Sequence, residues 1–295
     1  MNPLTRAVTG DGSAFVVAAD TTEALRSMEQ LLKTSAVVSA ALGRLLTASA
    51  LMATQLKGEK DCITLRMRGD GPVGTLLAVA DSHGNIKGSV TNPLVELPLN
   101  EKGKLDVRGA VGTSGVLYVI RDLGLKDPYV GQIPIVSGEI AEDIASYYAK
   151  SEQTPTVCAL GVLVNPDLTI CAGGGFLIQL LPHADESCIV QIEQNLKNMP
   201  PVSQLLTDGV TTEEICLRLF DGLSPNLLDH SAVRYHCGCS RKRTEQMLQG
   251  LGSKTLREMM DDSLPTQVQC HFCNTVYTFS KKELAALLQG KESNL

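Results

Sequence analysis

Four of the nine cysteines in this 295-residue chain fall in its last fifth as two close pairs, Cys237-Gly238-Cys239 and Cys270-His271-Phe272-Cys273. Paired thiolates joined by a loop of about thirty residues are what a tetrahedral all-sulfur zinc site requires, because each turn presents two sulfurs to one side of the metal. The expectation is one Zn²⁺ per chain held by Cys237, Cys239, Cys270 and Cys273. Four sulfurs close the shell, which leaves no open position of the kind a catalytic zinc keeps for water. His236 and His271 adjoin the pairs and rank below them as ligands, since a side chain beside a ligand usually points away from the same metal.

A single residue separates the first pair. The α carbons of residues i and i+2 lie close enough for a disulfide, and Gly238 removes the steric obstacle to so tight a ring. Such a ring is strained, and strain raises the reduction potential, so a Cys237–Cys239 bond would be labile and reversible. The site therefore reads as a switch as well as a clamp. Arg234, Arg241, Lys242 and Arg243 crowd this pair, and cations favour the thiolate. Three cations in the first turn of a helix oppose its dipole, a cost that an anionic tetrathiolate cluster would offset; an ordinary solvated basic face is the alternative.

The rest of the chain has to fold and position this cluster. With 43% apolar residues and a net charge of −6, the composition is that of a soluble protein able to bury a core. The start, MNPLTRAVTGDGSA, lacks the apolar stretch of a signal peptide, and nine cysteines without one fit a reducing cytoplasm in which thiols bind metal. Cys62, Cys158, Cys171, Cys188 and Cys216 sit in apolar periodic runs and read as inert core thiols.

Residues 36–56 are apolar enough to suggest a membrane span, but Arg44 at the bilayer centre would cost about 2.5–3.5 kcal/mol and no aromatic belt flanks the segment. Its alanine, serine and glycine predict a central buried helix instead. Strands are expected at 15–19, 62–68, 74–80, 85–91, 115–120, 132–136, 157–164 and 168–181, with a hairpin turn at Asn165-Pro166-Asp167 and helical periodicity over 140–150. Hairpins and helices without regular alternation predict an α+β core domain over residues 1–180. The clusters Gly109 to Gly115 and Gly173 to Gly175 match neither phosphate-loop nor dinucleotide spacing, so they read as bulges or close backbone contacts, and no nucleotide site is expected. No local nucleophile motif is present, and no catalytic residue is assigned.

Residues 181–231 carry two basic and eight acidic side chains, whereas 232–295 carry a net charge of +3. Ile189, Ile192 and Leu196 recur at helical spacing, and Thr211 with Glu214 makes a capping box before the run from Ile215 to Phe220. This segment is expected to be a helical, metastable linker with a thin core. Within 232–295, Ser240 can cap a helix and Ser280 with Glu283 can open the last one, around a strand at 275–279. About sixty residues bury little core, so metal binding must supply folding free energy.

The run His236-Cys-Gly-Cys-Ser240 together with Cys270-His-Phe-Cys-Asn274 closely resembles the redox-regulated heat-shock chaperones of thirty-three kilodaltons. Family-like stretches continue through the core at Ala40 to Arg44, Gly69 to Gly74, Gly103 to Arg108 and Gly173 to Gln179, so the likeness covers essentially the whole chain. The resemblance implies a bacterial cytoplasmic holdase that needs no ATP and is inactive while its four cysteines bind zinc. It further implies that oxidation forms two disulfides, Cys237 with Cys239 and Cys270 with Cys273, that zinc leaves, and that unfolded clients then bind, often with dimerisation. Two other classes compete. A zinc-ribbon nucleic-acid binder would use Arg241, Lys242 and Arg243, but the acidic whole and 4% aromatic content oppose it. A thiol-disulfide oxidoreductase would use Cys270 and Cys273, but no thioredoxin-like βαβ pattern surrounds them.

Overall fold

The computed structural model describes residues 2–182, 184–261 and 264–292, with side chains through 288. Two compact units divide the chain, Met1–His236 and Cys237–Leu295. In the first, the hairpin β1 (Asn2–Val8) and β2 (Ala14–Asp20) leads to helices α1 (Thr22–Leu32) and α2 (Ala36–Ala53). A meander follows, β3 (Cys62–Gly69), β4 (Thr75–Asp81) and β5 (Asn85–Val90), then α3 (Val107–Val111), β6 (Gly115–Asp122) and β7 (Tyr129–Pro134). Helix α4 (Ala141–Tyr147) runs into a π-helical turn, Tyr148–Glu152, before the hairpin β8 (Thr156–Val164) and β9 (Ile170–Leu180). Three helices, α5 (Glu186–Lys197), α6 (Val202–Thr207) and α7 (Thr212–Leu219), precede the last strand of this unit, β10 (Asn226–Tyr235). The class is α+β, as expected.

The ten strands form one sheet in the order β7-β6-β3-β4-β5-β10-β1-β2-β9-β8. It consists of two five-stranded antiparallel halves that meet at a short parallel joint, where only Arg234 pairs with Asn85 and Tyr235 with Ile86. Side chains reinforce the joint: Arg234 Nε donates to Asn85 Oδ1 at 2.6 Å, and Tyr235 Oη donates to the Gly88 carbonyl at 3.1 Å.

Helix α2 is the hub. Nearly every residue from Val37 to Ala53 is buried, with Arg44 the exception, so the apolar segment is a core helix wrapped by the sheet. Small residues let its neighbours close in: a Cβ at Gly43 would stand 3.0 Å from both Leu25 and Val162. The buried hydroxyls of α2 are bonded, Ser39 to Thr34 at 2.6 Å, Thr47 to Thr21 at 2.7 Å and Ser49 to the Leu46 carbonyl at 2.7 Å. Arg44 reaches the rim and pairs with Glu139 at 2.6 Å.

Period-two alternation sorts β2 between two cores. Val17 and Ala19 face α2, whereas Val16 and Ala18 face a second cluster with Phe176, Ile178 and helices α5–α7. Of the residues expected to anchor the acidic helices, Ile192, Ile215, Leu219 and Phe220 are fully buried there, Leu196 packs against them and Ile189 is half-buried. The Thr211–Glu214 capping box is present. Residues 226–235, whose first half lies in the stretch expected to be helical, form the strand β10 instead. Its side chains are mostly exposed, so the usual alternation is missing from its sequence, and its register comes from β1. The sequence patterns above do not mark strand β1 or helix α1 either. The glycine clusters are close-approach points: a Cβ at Gly174 would meet the Ala19 carbonyl at 2.4 Å, and Gly112 sits at φ 87 against Asp70.

The second unit is small. Helices α8 (Arg241–Gly250) and α9 (Ser253–Asp261), the hairpin β11 (Thr266–Gln269) and β12 (Val276–Phe279), and α10 (Lys281–Glu292) enclose Leu248, Leu256, Phe279, Leu284 and Leu288.

Candidate metal centre

The turn of the β11–β12 hairpin carries Cys270 and Cys273. Its shape is set by backbone bonds, Asn274 N to the Cys270 carbonyl at 2.8 Å and Cys270 N to the Thr275 carbonyl at 2.9 Å, with Asn274 in the left-handed region at φ 57. Asparagine tolerates that conformation better than most residues, which suits it to the position after the second cysteine. Cys237 and Cys239 lie in the extended segment ahead of α8, and Ser240 stops that segment by capping the helix, accepting from Arg243 N at 3.3 Å.

The two pairs converge. All four Sγ atoms lie within 4.8 Å of one another, Cys237 being 3.5 Å from Cys270 and Cys239 3.4 Å from Cys273. A ZnS₄ tetrahedron with bonds of about 2.3 Å has edges of about 3.8 Å, so the donor set has the spacing and the softness for zinc. Because the sulfurs of a tetrahedron are mutually adjacent, these distances favour no particular disulfide pairing. Among the described residues this cluster comprises the four cysteines alone; His236 and His271 are not part of it.

Backbone amides are aimed at three of the sulfurs, Cys239 N–H at Cys237, Phe272 N–H at Cys270 and Thr275 N–H at Cys273, and each favours the thiolate. Burial opposes them. Desolvation and the neighbouring sulfurs push the Cys237 thiol up to about 12, and burial likewise raises Cys270. At Cys273 burial is outweighed by the Thr275 hydroxyl and amide, which bring it down to about 7. Four adjacent sulfurs cannot all ionise without a cation among them, and a bound divalent metal removes that barrier by deprotonating its thiol ligands.

Two further side chains adjoin the cluster. Tyr277 Oη sits 3.2 Å from Cys239 Sγ, which raises the phenol to about 12, and Thr275 Oγ1 sits 3.2 Å from Cys273 Sγ. Tyr277 could have been found from the alternation that places it on the same strand face as buried Phe279. The basic residues divide. Arg243 donates to the Gly238 carbonyl at 2.7 Å and so braces the first pair. Arg241 instead ties α8 to the hairpin and α10: it pairs with Glu283 at 2.5 Å, donates to the Thr278 carbonyl at 3.1 Å and stacks 4.4 Å over the Phe279 ring. Its charge is thereby compensated by a carboxylate and a ring rather than by the cluster. Arg234 is held by Asn85 in the sheet joint. The remaining cysteines lie outside the cluster, Cys188 and Cys216 buried in the second core and Cys62, Cys158 and Cys171 half-buried, with thiols at Cys62, Cys158, Cys188 and Cys216 raised by desolvation.

A large α+β unit is followed by a small unit whose four cysteines are grouped so that they could hold a metal ion. The sequence model of the Hsp33 protein family matches residues 2–280, and the chain belongs to that family. It is similar to the 33 kDa chaperonin of Clostridium beijerinckii, 47% identical over 97% of this chain and 98% of that one, and to the 33 kDa chaperonin of Bacillus licheniformis, 45% identical over 97% and 99%. A crystal structure of the 33 kDa chaperonin (heat shock protein 33 homologue) of Thermotoga maritima superimposes with a TM-score of 0.91 at 37% identity, covering 99% of both chains. A chaperone role follows from the family.

Proposed function

We propose that this chain is a redox-regulated, ATP-independent holdase of the cytoplasm, held inactive by one zinc ion on Cys237, Cys239, Cys270 and Cys273. The observation that supports this most is the convergence of these four sulfurs within 4.8 Å in a unit whose buried apolar side chains, among the described residues, are Leu248, Leu256, Phe279, Leu284 and Leu288. Zinc, when bound, supplies folding free energy of order 10 kcal/mol to such a module. The residues do the switching. Each pair of thiolates, Cys237 with Cys239 and Cys270 with Cys273, gives two electrons to an oxidant such as hydrogen peroxide. The peroxide O–O bond breaks, and its oxygens leave as two waters with two protons from solvent. Disulfide sulfurs are poor ligands, so oxidation withdraws the metal's donors and with them most of what folds the module.

In the chain, β10 ends two residues before Cys237, and its last residues make the two-pair joint with β5. Release of the module frees this end, and we assign residues 181–231 as the metastable linker that loosens in consequence. Opening α5–α7 uncovers Ile192, Ile215, Leu219 and Phe220 along with the sheet face of Val16, Ala18, Phe176 and Ile178. An apolar surface of that kind holds unfolded chains, and it gives an oxidised homodimer a place to form. No nucleotide, nucleic acid, membrane or catalytic turnover enters the scheme. Light scattering from a thermally unfolding client tests it. Peroxide-treated protein is expected to suppress aggregation, release its metal in parallel and revert with reductant; equal protection by the reduced, zinc-loaded form contradicts the proposal.

A further inference from the structure

Tyr277 is the one tyrosine of the unit Cys237–Leu295, and it makes contacts at both ends of its side chain. Pairing with Val268 across the β11–β12 hairpin fixes its backbone, and the two-residue period puts it on the same strand face as buried Phe279. Its half-buried ring packs against the apolar cluster of Leu248, Leu256, Phe279, Leu284 and Leu288, while its hydroxyl ends 3.2 Å from Cys239 Sγ. An apolar body with a polar tip suits a residue that joins the core of a small module to a polar centre.

Between a phenol and a thiol, either group can donate. A metal-bound sulfur leaves no such choice: it carries no proton, so the phenol is the donor. Three of the sulfurs draw donors from the main chain of their own turns, Cys237, Cys270 and Cys273 from the amides of Cys239, Phe272 and Thr275. At Cys239 the donor is a side chain, and it comes from the hairpin that carries the other pair. The contact therefore spans the two pairs, and a single substitution removes it.

We propose that Tyr277 is a positioning residue of the metal centre: its hydroxyl donates to Cys239 Sγ, strengthens the hold on the metal and guards that sulfur against oxidant. This rests on the zinc and redox reading given above. A hydrogen bond to a thiolate favours the charged form that ligates. It also lowers the basicity of the sulfur, and nucleophilicity falls with basicity. For Cys239 to be oxidised by hydrogen peroxide, a sulfur lone pair attacks one peroxide oxygen, the O–O bond breaks, and hydroxide leaves as water with a proton from solvent. The Cys237 thiolate then displaces the hydroxyl of the sulfenic acid, which closes the disulfide and releases a second water with a second proton. The electrons needed in the first of these steps are the ones the Tyr277 proton engages.

The test compares the full-length, reduced parent with Tyr277→Phe, which keeps the ring and loses only the hydroxyl, and Tyr277→Leu, which loses both. Loaded with Co²⁺, the parent is expected to show tetrathiolate charge-transfer absorption, and the Phe variant the same absorption at longer wavelength, because its sulfur electrons are held less firmly. Chelator competition is expected to show zinc held about tenfold more weakly in the Phe variant, with circular dichroism of the loaded protein unchanged. Under peroxide, its Cys239 thiol, followed by mass spectrometry after alkylation, is expected to disappear sooner than in the parent. A Phe variant with the parental band and the parental zinc affinity overturns the inference. So does loss of metal by the Leu variant alone, which would assign the effect to the ring. A parent without tetrathiolate absorption would strike the zinc reading together with this inference. Failure of the metal-loaded parent to suppress aggregation after peroxide would instead strike the chaperone switch and leave the Tyr277 result standing.

Discussion

The unit Met1–His236 and the unit Cys237–Leu295 solve the same problem with different means. The first wraps its sheet and the helices α1, α3 and α4 around α2, and α5–α7 cover the other face of its second half-sheet. Burial alone can hold such a unit, since a fully buried Leu, Ile, Val or Phe is worth about 1.5–3 kcal/mol. The second has Leu248, Leu256, Phe279, Leu284 and Leu288 for a core, and leaves Met247, Leu251 and Val276 half-exposed. A single core in a unit of that size rarely supplies more than about 3–5 kcal/mol, and four sulfurs within 4.8 Å offer a staple. Stability that rests on area is insensitive to thiol chemistry, whereas stability that rested on metal-bound thiolates would be lost on their oxidation.

The sharpest way to break this contrast is to remove a ligand. Cys239→Ser or Cys270→Ser is expected to abolish metal retention and unfold the module, a loss of order 10 kcal/mol, while circular dichroism of the sheet persists; a module that kept its fold and full zinc would remove the contrast. Next in size is a cavity on the other side. Leu46→Ala in α2, fully buried, is expected to cost about 2–5 kcal/mol and lower the main melting transition without changing zinc stoichiometry. A lower zinc content in that variant would show that the two units do not stand separately.

Within the first unit, α5–α7 cover the second core, and Thr211→Ala removes the capping box that starts α7. Losing that cap is expected to cost about 1 kcal/mol and to speed hydrogen exchange over 212–219 more than in β3 or β4; uniform acceleration would contradict the assignment of these helices as the weakest part. The smallest effect is expected at Arg241→Leu. Its pair with Glu283 is about half exposed, so the change is worth about 0–1 kcal/mol. High salt is expected to reduce even that, and a larger loss would mean that Arg241 acts on the thiolates.

Legibility in the sequence followed the strength of local patterns. The cysteine spacing, the capping boxes at Thr211 and Ser280, the β8–β9 turn and the buried character of α2 all depend on neighbours within a few residues. Strand β10 was missed because its exposed, polar sequence carries no alternation, and its partners β1 and β5 lie far away in the chain. Tyr277 and Thr275 were missed for a related reason: their role depends on which strand face meets Cys239 and Cys273, and only the folded hairpin fixes that. The nearness of Arg241 to Cys239 in the sequence gives no sign of Glu283 and Phe279, which α10 and β12 bring to it.

Hydrogen exchange of the full-length chain before and after peroxide tests the central claim most directly, because it reads both units at once. The account predicts that amides from 237 to 292 lose protection as metal is released, that those of α5–α7 follow, and that β3, β4 and β6 remain slow. Unchanged protection in the module after all four thiols are oxidised, or simultaneous loss throughout the sheet, would contradict it.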